Sequence, residues 1–154
     1  MIVTILSSLL LMASGAPKDV IPMEVLRGSF KTVSSIRALD ASVKTELERR
    51  VKDPIADAGE PFQSTDLFIA NLPRRRFAVA GVSDVSPRFW VACYEHGGLG
   101  HHFHVVVFSA ADGTAMVVKS GQWLPHADDR RRGISVVRVV VALRKDEVKV
   151  DDHW

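Results

Sequence analysis

The sequence predicts an α+β domain, with one N-terminal amphipathic helix packed on a curved antiparallel β-meander of about five to six strands. Three observations predict it. Ile36, Leu39, Val43, Leu47 and Val51 recur at spacings of three and four, the period of a helix with a single apolar stripe. From Arg75 onward, short runs rich in β-branched and aromatic residues replace that period. Between the runs stand Ser86-Pro87, Gly97-Gly98-Leu99-Gly100 and Asp112-Gly113, turn signals spaced for successive hairpins.

The chain holds 154 residues, 47% hydrophobic and 25% charged, a balance that suits one globular domain and excludes a disordered chain. Met1 to Met12 carry no charged side chain, and Ala13 and Gly15 place small residues ahead of a cut after Gly15. Residues 1–15 therefore predict a secretory signal peptide, and with it a secreted or periplasmic protein. The apolar run is shorter than the roughly 20 residues that span a bilayer, so no membrane association is expected after cleavage. Residues 16–33, with Pro17, Pro22 and Gly28, predict an extended lead-in. Residues 34–154 form the single α+β domain. With one cysteine, Cys93, no internal disulfide can form.

Ser34 or Ser35 caps the predicted helix. Lys44, Glu46, Glu48, Arg49 and Lys52 fill its polar side, and Asp53-Pro54 stops it. A loop is expected over 55–65, a short strand over 66–71, and strands over 75–83, 88–96, 101–109 and 114–120. A polar loop is expected over 121–133. The run 134–143 (ISVVRVVVAL) predicts the longest strand, with 148–150 a last short one. By analogy of architecture alone this arrangement is cystatin-like or NTF2-like, and the analogy carries no function. Val105 to Phe108 and Val139 to Leu143 are apolar at every position. A strand of that kind is buried on both faces. The sequence therefore demands a cover for the second sheet face: a curled sheet, the lead-in, or a second subunit in a homodimer.

The densest polar cluster lies on the hairpin 88–109. A four-residue loop over Gly97 to Gly100 pairs His96 with His101, Glu95 with His102, and Cys93 with His104. Alternation then gathers Cys93, Glu95, His102 and His104 on one face. Imidazole with carboxylate or thiolate suits zinc or copper. The same residues also describe the solvated face of a half-buried sheet, and a register slip of one residue scatters them. Strands on both sides of the glycines exclude a phosphate-cradling loop, which needs a helix N-terminus. Cys93, between Ala92 and Tyr94, is expected as a buried apolar residue rather than a nucleophile. No Gly-x-Ser-x-Gly elbow occurs.

The arginine runs Arg74-Arg75-Arg76 and Arg130-Arg131-Arg132, with Trp123, are candidate contacts for a protein partner. The net charge of +2 and the lack of aromatic residues interleaved with the basic runs argue against nucleic acid. Without a complete catalytic set, the sequence points to a non-enzymatic binding or inhibitory module of unknown partner. The alternative is a metal-binding protein or metal-dependent enzyme built on the hairpin cluster.

Overall fold

The computed structural model describes residues 21–98 and 100–150. The expected signal peptide, the start of the lead-in and the terminal Trp154 lie outside them. The fold is α+β. In chain order it runs α1 (Met23–Arg27), β1 (Phe30–Val33), a 3₁₀ turn (Ile36–Ala38), α2 (Ala41–Val51), β2 (Ile55–Ala56), β3 (Arg75–Ser83), β4 (Arg88–His96), β5 (His102–Ala111), β6 (Thr114–Trp123), α3 (Ala127–Arg132), α4 (Val136–Arg144) and β7 (Lys149–Val150). One seven-stranded sheet has the order β1-β3-β4-β5-β6-β7, with β2 beside β3. Every pair is antiparallel except β2–β3.

The sheet is larger than the sequence suggests, and the amphipathic helix is not the first element. The lead-in is not simply extended: it contributes α1, and β1 pairs along β3. The apolar stripe from Ile36 to Val51 is one helix face in the sequence but two segments in the chain. Ser35 caps the 3₁₀ turn, Leu39 adopts extended backbone, and Asp40 starts α2 by accepting from Ser42 N. Asp57 causes the break. Its buried carboxylate accepts from Ser35 Oγ (2.6 Å), Ile36 N (2.8 Å) and Ala58 N (2.8 Å), which ties the turn to β2. Burial alone would raise the Asp57 pKa, but these hydrogen bonds outweigh it and lower it.

Each face of the sheet is covered within the chain. Val43, Leu47 and Val51 of α2 pack with Phe77, Ala80, Trp90, Ala92, Tyr94, Val106 and Phe108. On the opposite face, Val25 of α1 and Val136, Val139, Val140 and Leu143 of α4 pack with Val79, Val91, Cys93, Phe103, Val105, Val107 and Trp123. The middle stretches of β4 and β5, Phe89 to Tyr94 and Val105 to Phe108, are apolar on both faces because each face meets a helix.

The expected long strand over 134–143 is therefore wrong: these residues supply α4. Its buried residues Val136, Val139, Val140 and Leu143 follow the i, i+3, i+4, i+7 spacing of a helix. Ser135 Oγ accepts from Arg138 N (3.3 Å) and caps it. The β-branched composition favours a strand, but burying this stripe on the sheet outweighs that propensity. Gly81 permits the approach, since a Cβ there would stand 2.2 Å from Val136 Cγ2. Two further expectations fail. Residues 66–71 pair with no strand, and the polar stretch 121–133 contains the end of β6 and α3.

One prediction concerns the exposed side of α2. Glu46 bridges Arg49 (2.7 Å) and Arg50 (2.7 Å). Those hydrogen bonds, the one from Arg49 foremost, lower its pKa to about 2. A carboxylate depressed in the folded state stabilises it above the unfolded value near 4.5, and that contribution fades as pH falls toward 2. Glu46→Gln is expected to remove about 1 kcal/mol at pH 7. The difference from the parent should vanish by about pH 2 in thermal denaturation across that range.

Candidate metal site

The hairpin β4–β5 pairs His96 with His102, Glu95 with Phe103, Tyr94 with His104 and Cys93 with Val105. The loop is 97–101, one residue longer than the turn expected from the glycines. Gly98 and Gly100 take positive φ, 100° and 76°, which only glycine adopts readily. Gly97 N donates to Arg74 O (3.0 Å), and a Cβ at Gly97 would stand 1.8 Å from Gln63 O. The segment 63–74 is thus seated against the start of the loop.

One residue of register moves every side chain of a strand to the other face. His102 and His104 stay together, but Cys93 and Glu95 lie on the opposite face. The expected set of Glu95, His102, His104 and Cys93 is not brought together. His96 takes the vacant place. The three histidines His96, His102 and His104 each offer one ring nitrogen, and these lie within 4.8 Å of one another.

The three rings are held differently. His104 is 4% exposed and stacks on Tyr94, with centroids 4.9 Å apart and planes 7° apart. His102 Nδ1 lies 2.6 Å from Gly100 O. A carbonyl only accepts, so Nδ1 carries the proton, and in the neutral ring Nε2 carries the lone pair. His102 Nε2 lies 2.8 Å from His104 Nε2, so His104 donates across that gap. Orientation of an imidazole by a backbone carbonyl on its other nitrogen is the usual support of a metal-ligating histidine.

His96 is partly buried, and its Nδ1 is buried with no hydrogen-bond partner. Burial, then the charge of Arg75, lowers its pKa to about 4, so it is neutral at pH 7. Asp53 pairs with Arg75 and offsets part of that charge. A cleft of about 330 Å³ opens beside His96, lined by Gln63, Thr65, Asp66, Arg74, Gly97 and Gly98.

On the other face, Glu95 accepts from Arg76 Nη2 (2.7 Å) and meets His101 Nε2 (2.7 Å). Cys93 is fully buried; burial first, and Glu95 second, raise its pKa far above the ordinary thiol value, so it remains a thiol. The arginines divide. Arg74 is exposed, Arg75 is buried against Asp53, and Arg76 is bound to Glu95. Arg131 pairs with Asp128, Arg130 Nε donates to Pro125 O (3.2 Å), and Arg132 is exposed on α3. Trp123 is 1% exposed and packs on Phe103, so it is a core residue and not a surface anchor.

His96 is the candidate ligand that sequence reasoning missed. The available signal was the group of histidines on both sides of the turn. What was lacking was the loop length, set by contacts with the distant segment 63–74. No protein-family model, no curated protein and no solved structure matches the chain.

Proposed function

We propose that this protein binds a transition-metal ion, zinc or copper, through His96, His102 and His104. The observation that carries the reading is the convergence of three imidazole nitrogens within 4.8 Å, supported by the orphaned Nδ1 of His96. Zinc–nitrogen bonds are about 2.0–2.1 Å, so tetrahedral ligands stand roughly 3.3 Å apart. The 2.8 Å gap between His102 and His104 would have to open slightly, and His96 to draw inward, for the three nitrogens to hold an ion. Three imidazoles suit zinc and copper better than magnesium or calcium. Three protein ligands leave a fourth position free. Arg74, which lines the cleft beside His96, favours an anion there over a neutral molecule.

The test is titration of the untagged full chain with Zn²⁺ and Cu²⁺, followed by metal analysis after gel filtration. One equivalent bound at submicromolar Kd is expected. Binding no tighter than about 10 μM for both ions removes the reading.

A second reading, a module that docks a protein partner, rests on a separate observation. Leu67, Phe68 and Ile69 are 76%, 75% and 50% exposed in succession, an apolar tip of the kind that partners bury. Leu67→Ser with Phe68→Ser separates the readings, because it leaves metal stoichiometry unchanged.

A further inference from the structure

The face of the sheet away from the three histidines carries a second polar construction. A cleft of about 430 Å³ is lined by Gly59, Arg76, Ala78, Glu95, His101, Phe103, Arg130, Gly133 and Ile134. Its size falls in the range of small-molecule sites. Phe103 is buried, and Ala78 and Ile134 pack on the same core, so the cleft has an apolar floor.

Its charges are unevenly satisfied. Glu95, with a side chain only 10% exposed, has both oxygens engaged: Oε1 with His101 Nε2 (2.7 Å) and Oε2 with Arg76 Nε (3.1 Å) and Nη2 (2.7 Å). Arg76 also lies over the Phe62 ring, 4.2 Å from its centroid. Arg76 and Glu95 therefore cancel and are fixed in place. Arg130 is different. The neighbouring carboxylates are taken, Asp128 by Arg131 and Asp129 by Arg138. Arg130 has no carboxylate partner among the described residues, and its recorded bond is from Nε to Pro125 O. One uncompensated guanidinium thus lines a cleft with an apolar floor, beside a carboxylate whose charge is already paired with Arg76.

We infer that this cleft binds a small organic anion: a carboxylate with an apolar body, its charged end on Arg130 and its body against Phe103, Ala78 and Ile134. The guanidinium fork matches a carboxylate in two parallel hydrogen bonds. The apolar body gains from burial on the floor at roughly 25 cal/mol per Å². The two halves together favour such an amphipathic anion over a bare inorganic ion, which leaves the floor unused, and over a neutral hydrocarbon, which leaves Arg130 unpaired.

The inference is independent of the metal reading and is tested separately from it. The full chain, ¹⁵N-labelled, is titrated with hexanoate and in parallel with hexanol. Saturable shifts at the amides of Ala78, Phe103 and Ile134 are expected at millimolar hexanoate, with hexanol at least about tenfold weaker. Arg130→Gln, at an exposed position that leaves the fold intact, is expected to weaken hexanoate by at least about tenfold. His102→Ala is expected to leave hexanoate binding unchanged. Equal binding of hexanol and hexanoate, an unchanged Arg130→Gln, or shifts that never saturate would overturn the inference.

Discussion

Replacing His102 and His104 together by alanine is expected to reduce affinity for Zn²⁺ by at least about 100-fold. Loss of an outer-shell partner alone typically costs 10–100-fold in metal affinity, and this change removes two of the three proposed ligands. The measurement is competition against a chromophoric chelator at fixed pH, since imidazole ligands must be deprotonated to bind. His104 is buried against Tyr94, so its loss also lowers stability, and folding of each variant is checked by circular dichroism. His102→Ala, at a more accessible ring, separates the effects: affinity should fall while the melting temperature barely moves. His96→Ala should weaken zinc comparably. Cys93→Ala is the informative control. It removes a residue that the four-residue turn would place in the site and that the actual register turns to the other face. Zinc affinity should change less than about threefold, roughly the scatter expected of a site away from the ligands. If His96→Ala and His102→Ala both bind zinc as the parent does, the three histidines are not a metal site.

The contrast between His96 and Cys93 shows how much of the site was legible in the sequence. That histidines cluster at one hairpin end follows from their positions, and the strands themselves begin and end close to where alternation places them. Which face each side chain takes depends on one residue of loop length. That length is set by Gly97 lying against Gln63 and bonding to Arg74 O, contacts that no local pattern encodes. Glu95 shows the same limit. Its residue type suggested a ligand, but its partner Arg76 becomes evident only when β3 is laid beside β4, and its partner His101 only with the loop at its actual length. The arginine runs were legible as charge and not as roles, because Arg75 and Arg76 point to opposite faces of β3 and meet different acids.

The helices divide along similar lines. The stripe of α2 was readable because polar residues fill its other side. In α4 the same helical stripe exists, yet Val137 and Val141 also stand off it, so the run looked like a strand apolar on both faces. The difference between strand and helix at 134–143 is testable, and with a large effect. In a strand, Val137 and Val139 share a face, and aspartate at either position would be equally tolerated or equally harmful. In α4 they differ sharply: Val139 is 1% exposed against the sheet, and Val137 is 70% exposed. Val139→Asp places a carboxylate among Val79, Val91, Val105 and Val107, with no partner supplied. An unpaired buried charge costs several kcal/mol even after relaxation, so a loss of at least about 4 kcal/mol is expected, a large fraction of an ordinary domain stability of about 5–15 kcal/mol. Val137→Asp should cost less than about 0.5 kcal/mol, in part because an acid in the first turn complements the helix dipole. Urea denaturation of the two variants decides the matter. Equal losses would return 134–143 to a strand and reopen the question of what covers that face of the sheet.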